Sequence, residues 1–419
     1  MELLKQIAHP PPGGALRNIP LILALAGLLC FGIYSWIGYA LETFGDSGDY
    51  IVFSNMTIPQ VLAHYRPPGY GVMLAATRRL LGDWNGLPAV QYGAFVGAVI
   101  FFCQGLRWRG VRRRTILLVG LALLPADIFR THGHLIASEP FTLVFTLLWF
   151  GALLGLTGAV RRPRARLGLW LLTFAAATGV ILHRPAFLFV PPLAVILGWA
   201  WMRQRPAALG ASPHPRPALA PTLLLIALTG FAPFFLYGGL RWAVVGHFGL
   251  SSYKGAVEMA AIGPLLSREW IPRLAPDLQP AATAFVAHRE KWLDQRREQD
   301  RYPYPGPLPL TPEGAIDYET WSRTSTFYRA NLRSRYGVYF LHDMRSVRGL
   351  VVADQELHRL FGEVFRLRWR EYFRWSAWNF YNGLLSLPRV SPLFAVALLA
   401  LAAGGAARAA RGRRGRVGE

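Results

Sequence analysis

Ionisable side chains are scarce inside the apolar stretches of this chain and crowd at their ends. Glu42, Asp46 and Asp49 follow the first apolar run, in "ETFGDSGDYIVFSNMTIPQVLAHYRPPGY" (42–70), which also carries Arg66 and the tyrosines Tyr50, Tyr65 and Tyr70. Asp127 and Arg130 follow a later run, Glu139 opens the next, His183 and Arg184 close another, and Arg241 closes a long one. Ion-coupled transporters usually place acidic groups near mid-depth, between broken helices. Groups gathered at the ends of apolar helices would meet just above one leaflet, which favours chemistry on a lipid headgroup over carriage of a solute.

The elements that must position these groups are membrane helices. Of 419 residues, 53% are hydrophobic, more apolar surface than an ordinary soluble domain carries. A bilayer core takes about 20 apolar residues per helix. Residues 19–41, 87–106, 141–160, 167–182, 186–202, 219–245 and 392–407 meet that, and 115–129 is shorter, of a length that also suits a re-entrant segment. A net charge of +22 would suggest nucleic acid in a soluble protein. Here the basic residues lie in "RWRGVRRR" (107–114), "RRPRAR" (161–166), Arg203, Arg205, Arg216 and "RAARGRRGR" (408–416), between or beyond the apolar runs. That pattern marks the cytoplasmic side of a membrane protein, so no nucleic-acid partner is expected. Both 107–114 and 161–166 should be cytoplasmic, so the chain between them crosses twice; 115–129 then counts as a span. Eight spans with both termini inside result. The first run is too long for a cleavable signal and reads as an uncleaved anchor. Cys30 and Cys103 fall within spans and support no disulfide framework. Lysine occurs only at positions 5, 254 and 291; such Arg-, Ala-, Gly- and Pro-rich usage suits a G+C-rich bacterial genome, hence a bacterial inner membrane.

In this topology 42–86, 130–139, 183–185 and 247–387 face outward. The first of these predicts two short interfacial helices. One carries Val52, Phe53, Met56 and Val61 on a stripe, with Pro59 beginning a new turn; the other runs through "YGVMLAATRRLLG" with Arg78 and Arg79 on its polar side. The last outer segment ends in "FRLRWREYFRWSAWNFYNGLL" (365–385), whose Trp369, Trp375 and Trp378 suit the water–lipid interface. The organisation expected is a seven-span module over 1–246, an extracytoplasmic segment over 247–388, and the last span with its basic tail over 389–419.

"DSGDY" (46–50) followed by "YRPPGYGVMLA" (65–75) resembles the first outer loop of the GT-C class. These are membrane glycosyltransferases that use polyprenyl-phosphate sugars, among them protein mannosyltransferase-like and lipid A aminoarabinose transferase-like families. Bacterial members commonly read Asp-Ser-x-x-Tyr, then Arg-Pro-Pro-Gly-Tyr-Pro. "ASEPFTLVFTLL" (137–148) resembles their Ser-Glu motif opening the fourth span. "HRPAFLFVPPLAVI" (183–196) resembles their Arg-Pro between spans five and six, and "GHFGLSSYKGA" (246–256) the segment after span seven. The motifs cover roughly the first 260 residues in order. Gly71 stands where the pattern has Pro, and the long outer segment matches no part of it.

The resemblance implies attack by an acceptor hydroxyl on the anomeric carbon of a lipid-phosphate sugar, in a single inverting displacement. Such a hydroxyl needs a carboxylate to take its proton, worth about 10²–10⁴-fold in rate. Asp46 is the Asp of the matched motif and the implied base; by itself it would equally cap a helix starting near Ser47. Asp49 shares that role or holds the acceptor, and Glu42 reads as an interfacial charge. The departing polyprenyl phosphate needs preorganised cations, for which Arg66 and Arg184 are candidates; an arginine at that depth also serves as a plain anchor. Lys254, in a chain that otherwise uses Arg, is a candidate point-charge phosphate contact. Glu139 positions donor or acceptor, or simply starts its helix favourably. Tyr70, with Tyr50 and Tyr65, lines a sugar pocket or anchors at the interface. His132 and His134 lack convincing third and fourth ligands, so no tightly held metal is expected, while a divalent cation stays open as a cofactor. The Asn55-Met56-Thr57 glycosylation pattern reads as chance in a bacterial protein.

The expectation is an all-α polytopic glycosyltransferase that takes a polyprenyl-phosphate-linked sugar to an extracytoplasmic glycan, lipid or protein acceptor, among membrane lipids. The rivals are a transporter or flippase of lipid-linked glycans, and a non-catalytic subunit of an envelope assembly machine.

Overall fold

The computed structural model describes residues 18–36, 38, 40–43, 47–64, 66–158, 160, 162–203, 219–252, 254–298, 338, 341–342 and 346–390. Among them the secondary structure is helical, apart from one isolated parallel bridge between Glu42 and Leu135. Six helices are long and apolar enough to cross a bilayer: Ile19–Trp36, Leu87–Trp108, Glu139–Thr157, Pro163–His183, Pro185–Arg203 and Leu219–Val245. Their composition makes this a membrane protein. The span expected over 392–407 lies outside the described residues.

The chain divides into two units, Met1–Ser252 and Tyr253–Glu419. The first holds α1 (Ile19–Trp36), α2 (Ser47–Ile51), α3 (Ile58–Ala63), α4 (Gly69–Leu81), α5 (Leu87–Trp108), α6 (Arg113–Leu123), α7 (Asp127–His132), α8 (Glu139–Thr157), α9 (Pro163–His183), α10 (Val190–Arg203) and α11 (Leu219–Val245). Proline in the first turn of α5, α8 and α9 starts each helix where a missing N–H costs nothing. The first helix stops short of the expected Leu41: Gly38, with φ at +95°, turns the chain.

α5 lies against α8, and Gly105 permits the approach: an added Cβ there would stand 2.7 Å from Gly151 O. The hydrogen bonds along α5 show how its neighbours run. At its C-terminal end the Arg109 guanidinium donates to Thr157 O (2.7 Å) and Trp201 O (2.6 Å), closing the last turns of α8 and α10 onto the same end. Cys103 Sγ donates to Ile116 O, Tyr92 Oη to Leu124 O (3.1 Å), and Gln91 Nε2 to Gly133 O (2.9 Å). Residues 113–135 therefore run back along the whole length of α5.

That run is not the continuous helix expected over 115–129. α6 has 11 residues, about 16 Å at 1.5 Å per residue, short of the roughly 30 Å hydrocarbon core. The helix stops before Pro125, whose ring removes an amide donor, and resumes as α7. On the outside of the bundle Leu25, Leu28, Leu29 and Ile33 of α1 and Leu224, Leu228, Phe235 and Leu236 of α11 are exposed, an apolar surface of the kind hydrocarbon covers.

The second unit contains α12 (Lys254–Ile262), three 3₁₀ turns, α13 (Gln279–Glu298) and α14 (Val347–Val390), the last bent at Arg368. Met259, Phe285, Leu357 and Leu360 form its core. Arg289 is fully buried and donates to the carbonyls of Gly263 and Leu266; burial lowers its pKa to about 10. The boundary falls after Ser252, where the sequence reading placed it after Gly246.

Candidate functional site

The loop between α1 and α5 is folded onto the bundle end opposite Arg109. The Glu42 amide donates to His134 O (3.0 Å) and the Ile136 amide to Glu42 O (3.1 Å). Ser47 Oγ donates to Ile136 O (3.0 Å) and Tyr50 Oη to Ser138 Oγ (3.2 Å). The start of α2 is thereby tied to the turn that precedes α8. The expected stripe of Val52, Phe53, Met56 and Val61 is not one helical face. A 3₁₀ turn ends at Asn55, Phe53 is buried while Val52 is exposed, and α3 begins only at Ile58, behind a capping box between Thr57 and Gln60 and with Pro59 in its first turn.

Two glycines set how α4 sits. An added Cβ on Gly69 would stand 2.6 Å from Leu182 O and 2.7 Å from His183 Nδ1, so the start of α4 abuts the C-terminus of α9. One on Gly71 would stand 2.6 Å from the Phe53 ring. A side chain at position 71 would therefore meet the Phe53 ring unless that ring moved.

These contacts gather side chains from four separated segments. Arg66 Nε lies 3.4 Å from Asp49 Oδ2, and its guanidinium stands 5.6 Å from the centre of the Tyr50 ring. The Tyr50 and Tyr70 rings meet edge to face at 4.9 Å. Ser138 Oγ, which accepts from Tyr50, lies 3.5 Å from Glu139 Oε2, and Glu139 forms an ion pair with Arg184. Glu139 is in the first turn of α8 and Arg184 caps the C-terminus of α9, so each charge also suits its helix dipole. Tyr70 is fully buried, and its hydroxyl donates to Gln91 Oε1 (3.5 Å), whose amide is anchored on Gly133 O and Leu135 O. Burial raises the Tyr70 phenol above its usual range and keeps it neutral. Burial also lowers His64 to about 4, so its ring is neutral at physiological pH, and its Nδ1 accepts the Arg66 amide at 3.0 Å.

Of the residues singled out from sequence, Asp49, Arg66, Tyr70, Glu139 and Arg184 thus belong to one connected cluster with Tyr50. Asp46 and Tyr65 lie outside the described residues, as do the side chains of Asp127 and Arg130. Glu42 is 63% exposed and reaches His134 Nε2 at 3.8 Å. Lys254 belongs to the second unit, 61% exposed and 3.8 Å from Glu258 one turn further along α12. His132 Nδ1 shares a 2.7 Å hydrogen bond with Thr131 Oγ1, and among the described residues no three His, Cys, Asp or Glu side chains are grouped to hold a metal ion. Sequence reasoning gave no role to Ser47, although it is the serine of the Asp-Ser-x-x-Tyr match, and missed His64 and Gln91. Gln91 left a signal, as an amide inside an apolar run.

Two carboxylates facing two guanidiniums, walled by tyrosine rings at the end of an apolar bundle, can bind an anionic headgroup and move a proton beside it. Compared with known protein families, curated proteins and solved structures, the chain matches none.

Proposed function

We propose that the protein transfers a sugar from a polyprenyl-phosphate carrier to an acceptor hydroxyl. The observation that carries this reading is the cluster itself: Asp49, Arg66, Tyr70, Glu139 and Arg184, distant in sequence, come together at one end of an apolar bundle. The resemblance to GT-C enzymes supplies the chemistry. A carboxylate, Asp46 with Asp49 sharing the role, takes the acceptor proton. The acceptor oxygen bonds to the anomeric carbon as the carbon–phosphate oxygen bond breaks, and the electron pair leaves with the polyprenyl phosphate. Arg66 and Arg184 offset the charge that develops there, while tyrosine rings border the sugar. The isoprenoid chain lies in the bilayer along the bundle.

The basic residues Arg109, Arg112, Arg113 and Arg114 are at the end of α5 away from the cluster. By the positive-inside rule that end is cytoplasmic, which supports a site on the extracytoplasmic face of a bacterial inner membrane; eight crossings with both termini inside are part of the same proposal. The acceptor is a glycan, lipid or protein of that compartment, and a divalent cation is open to test.

Polyprenyl-phosphate sugars are quantified by mass spectrometry in deletion cells complemented with wild type, Asp46→Asn or Asp49→Asn at equal membrane expression. Accumulation of one such lipid in the Asp46→Asn cells, with loss of the matching sugar from an envelope glycan or protein, is the expected result. A wild-type profile in both variants would remove the enzyme reading in favour of a transporter or assembly subunit.

A further inference from the structure

Arg241 is the only charged residue of α11 and has no exposed surface. A buried guanidinium costs several kcal/mol unless its donors are satisfied, and its donors reach the loop that carries Arg66. Its Nε donates to Leu62 O (2.6 Å) and its Nη2 to Ser252 Oγ (2.8 Å). The Ser252 amide donates to His64 O (3.3 Å), and His64 Nδ1 accepts the Arg66 amide (3.0 Å). The backbone at Leu62, His64 and Arg66 is therefore held by one network rooted in α11. On the far side of Arg66 come Pro67 and Pro68, whose rings stiffen the chain, and then Gly69 against the end of α9.

We infer that Arg241 is a positioning residue: through Leu62, Ser252 and His64 it sets where the Arg66 guanidinium meets a lipid-borne phosphate. The inference rests on the glycosyl-transfer reading above. Only the planar fork of arginine reaches both a carbonyl and a hydroxyl from one fixed stem; lysine offers a point charge. Arg109 makes a similar clamp at the opposite end of the bundle and serves as the control.

The full-length protein in lipid nanodiscs is titrated with undecaprenyl phosphate as probe. The variants are Arg241→Met, Arg66→Ala and the double variant, with Ser252→Ala as a milder lesion should Arg241→Met fold poorly. Arg241→Met and Arg66→Ala each weaken binding by about tenfold to a hundredfold, and the double variant binds no more weakly than Arg66→Ala alone, since Arg241 acts through Arg66. Ser252→Ala gives a smaller loss that also vanishes in the Arg66→Ala background. Arg109→Met lowers thermal stability and leaves binding near wild type. Losses that multiply in the double variant would make Arg241 a general support of the fold and overturn the inference. If the wild type does not bind the probe, the donor reading falls, and amide exchange over residues 61–66 decides the clamp by itself. Exchange accelerated there and unchanged in α5 upholds it, whereas unchanged exchange over 61–66 refutes it.

Discussion

Asp49 is held by Arg66 and Glu139 by Arg184, and this pairing sets the sign of a prediction at the residue scale. A phosphate that takes Arg184 must displace Glu139. Glu139→Gln therefore tightens undecaprenyl phosphate binding by about fivefold, the worth of a partly exposed pair of about 1 kcal/mol, whereas Arg184→Ala weakens it. Titration of both variants checks this, and a pair that only anchors the helix ends leaves both affinities unchanged. His64 gives a second prediction. Its folded pKa of about 4 lies below the ordinary 6.5, so between those values the unfolded chain binds a proton that the native loop refuses. The contribution of His64 to stability is complete above 6.5 and is lost as pH falls through that window. Thermal unfolding followed from neutral pH down to about 4 shows a steeper fall for wild type than for His64→Asn, which cannot titrate.

At the scale of elements, the first outer loop illustrates what periodicity misses. Val52 and Phe53 are neighbours on the expected stripe, yet one is exposed and the other fills the gap left by Gly71. That gap is made by α4, more than fifteen residues downstream, and no local pattern announces it. Gly71→Ala forces its methyl into the ring and costs about 1–3 kcal/mol. Phe53→Leu recovers part of the loss in the Gly71→Ala background and none in the wild type, as read from thermal unfolding midpoints. The return of α6 and α7 along α5 was legible in part. Parity of the basic segments required the chain to return to the other end, and it does, while Pro125 decided that it returns as two pieces rather than one helix.

For the whole molecule, the consequence of this architecture is polarity between the two ends of the helical bundle. The Arg109 clamp and the start of α6 are at one end, and the tyrosine, carboxylate and arginine cluster is at the other. In a variant with Cys30 and Cys103 replaced by Ala, a membrane-impermeant maleimide applied to intact cells labels Glu42→Cys and spares Arg114→Cys. The opposite pattern would place the cluster in the cytoplasm.

Apolar run length, the segregation of arginine and the retreat of charge to helix ends are properties of the chain in one dimension. From them the membrane class and the long apolar helices were already readable, as was the gathering of Asp49, Arg66, Glu139 and Arg184 at helix ends. Which carboxylate faces which arginine, why Tyr70 is buried on Gln91, and how a distant Arg241 reaches Leu62 were decided by packing. Those pairings depend on a bridge from Glu42 to Leu135 and on a glycine pressed against the end of α9. Such contacts are set by how the helices pack, because each joins groups too far apart in sequence for local propensity to bring together.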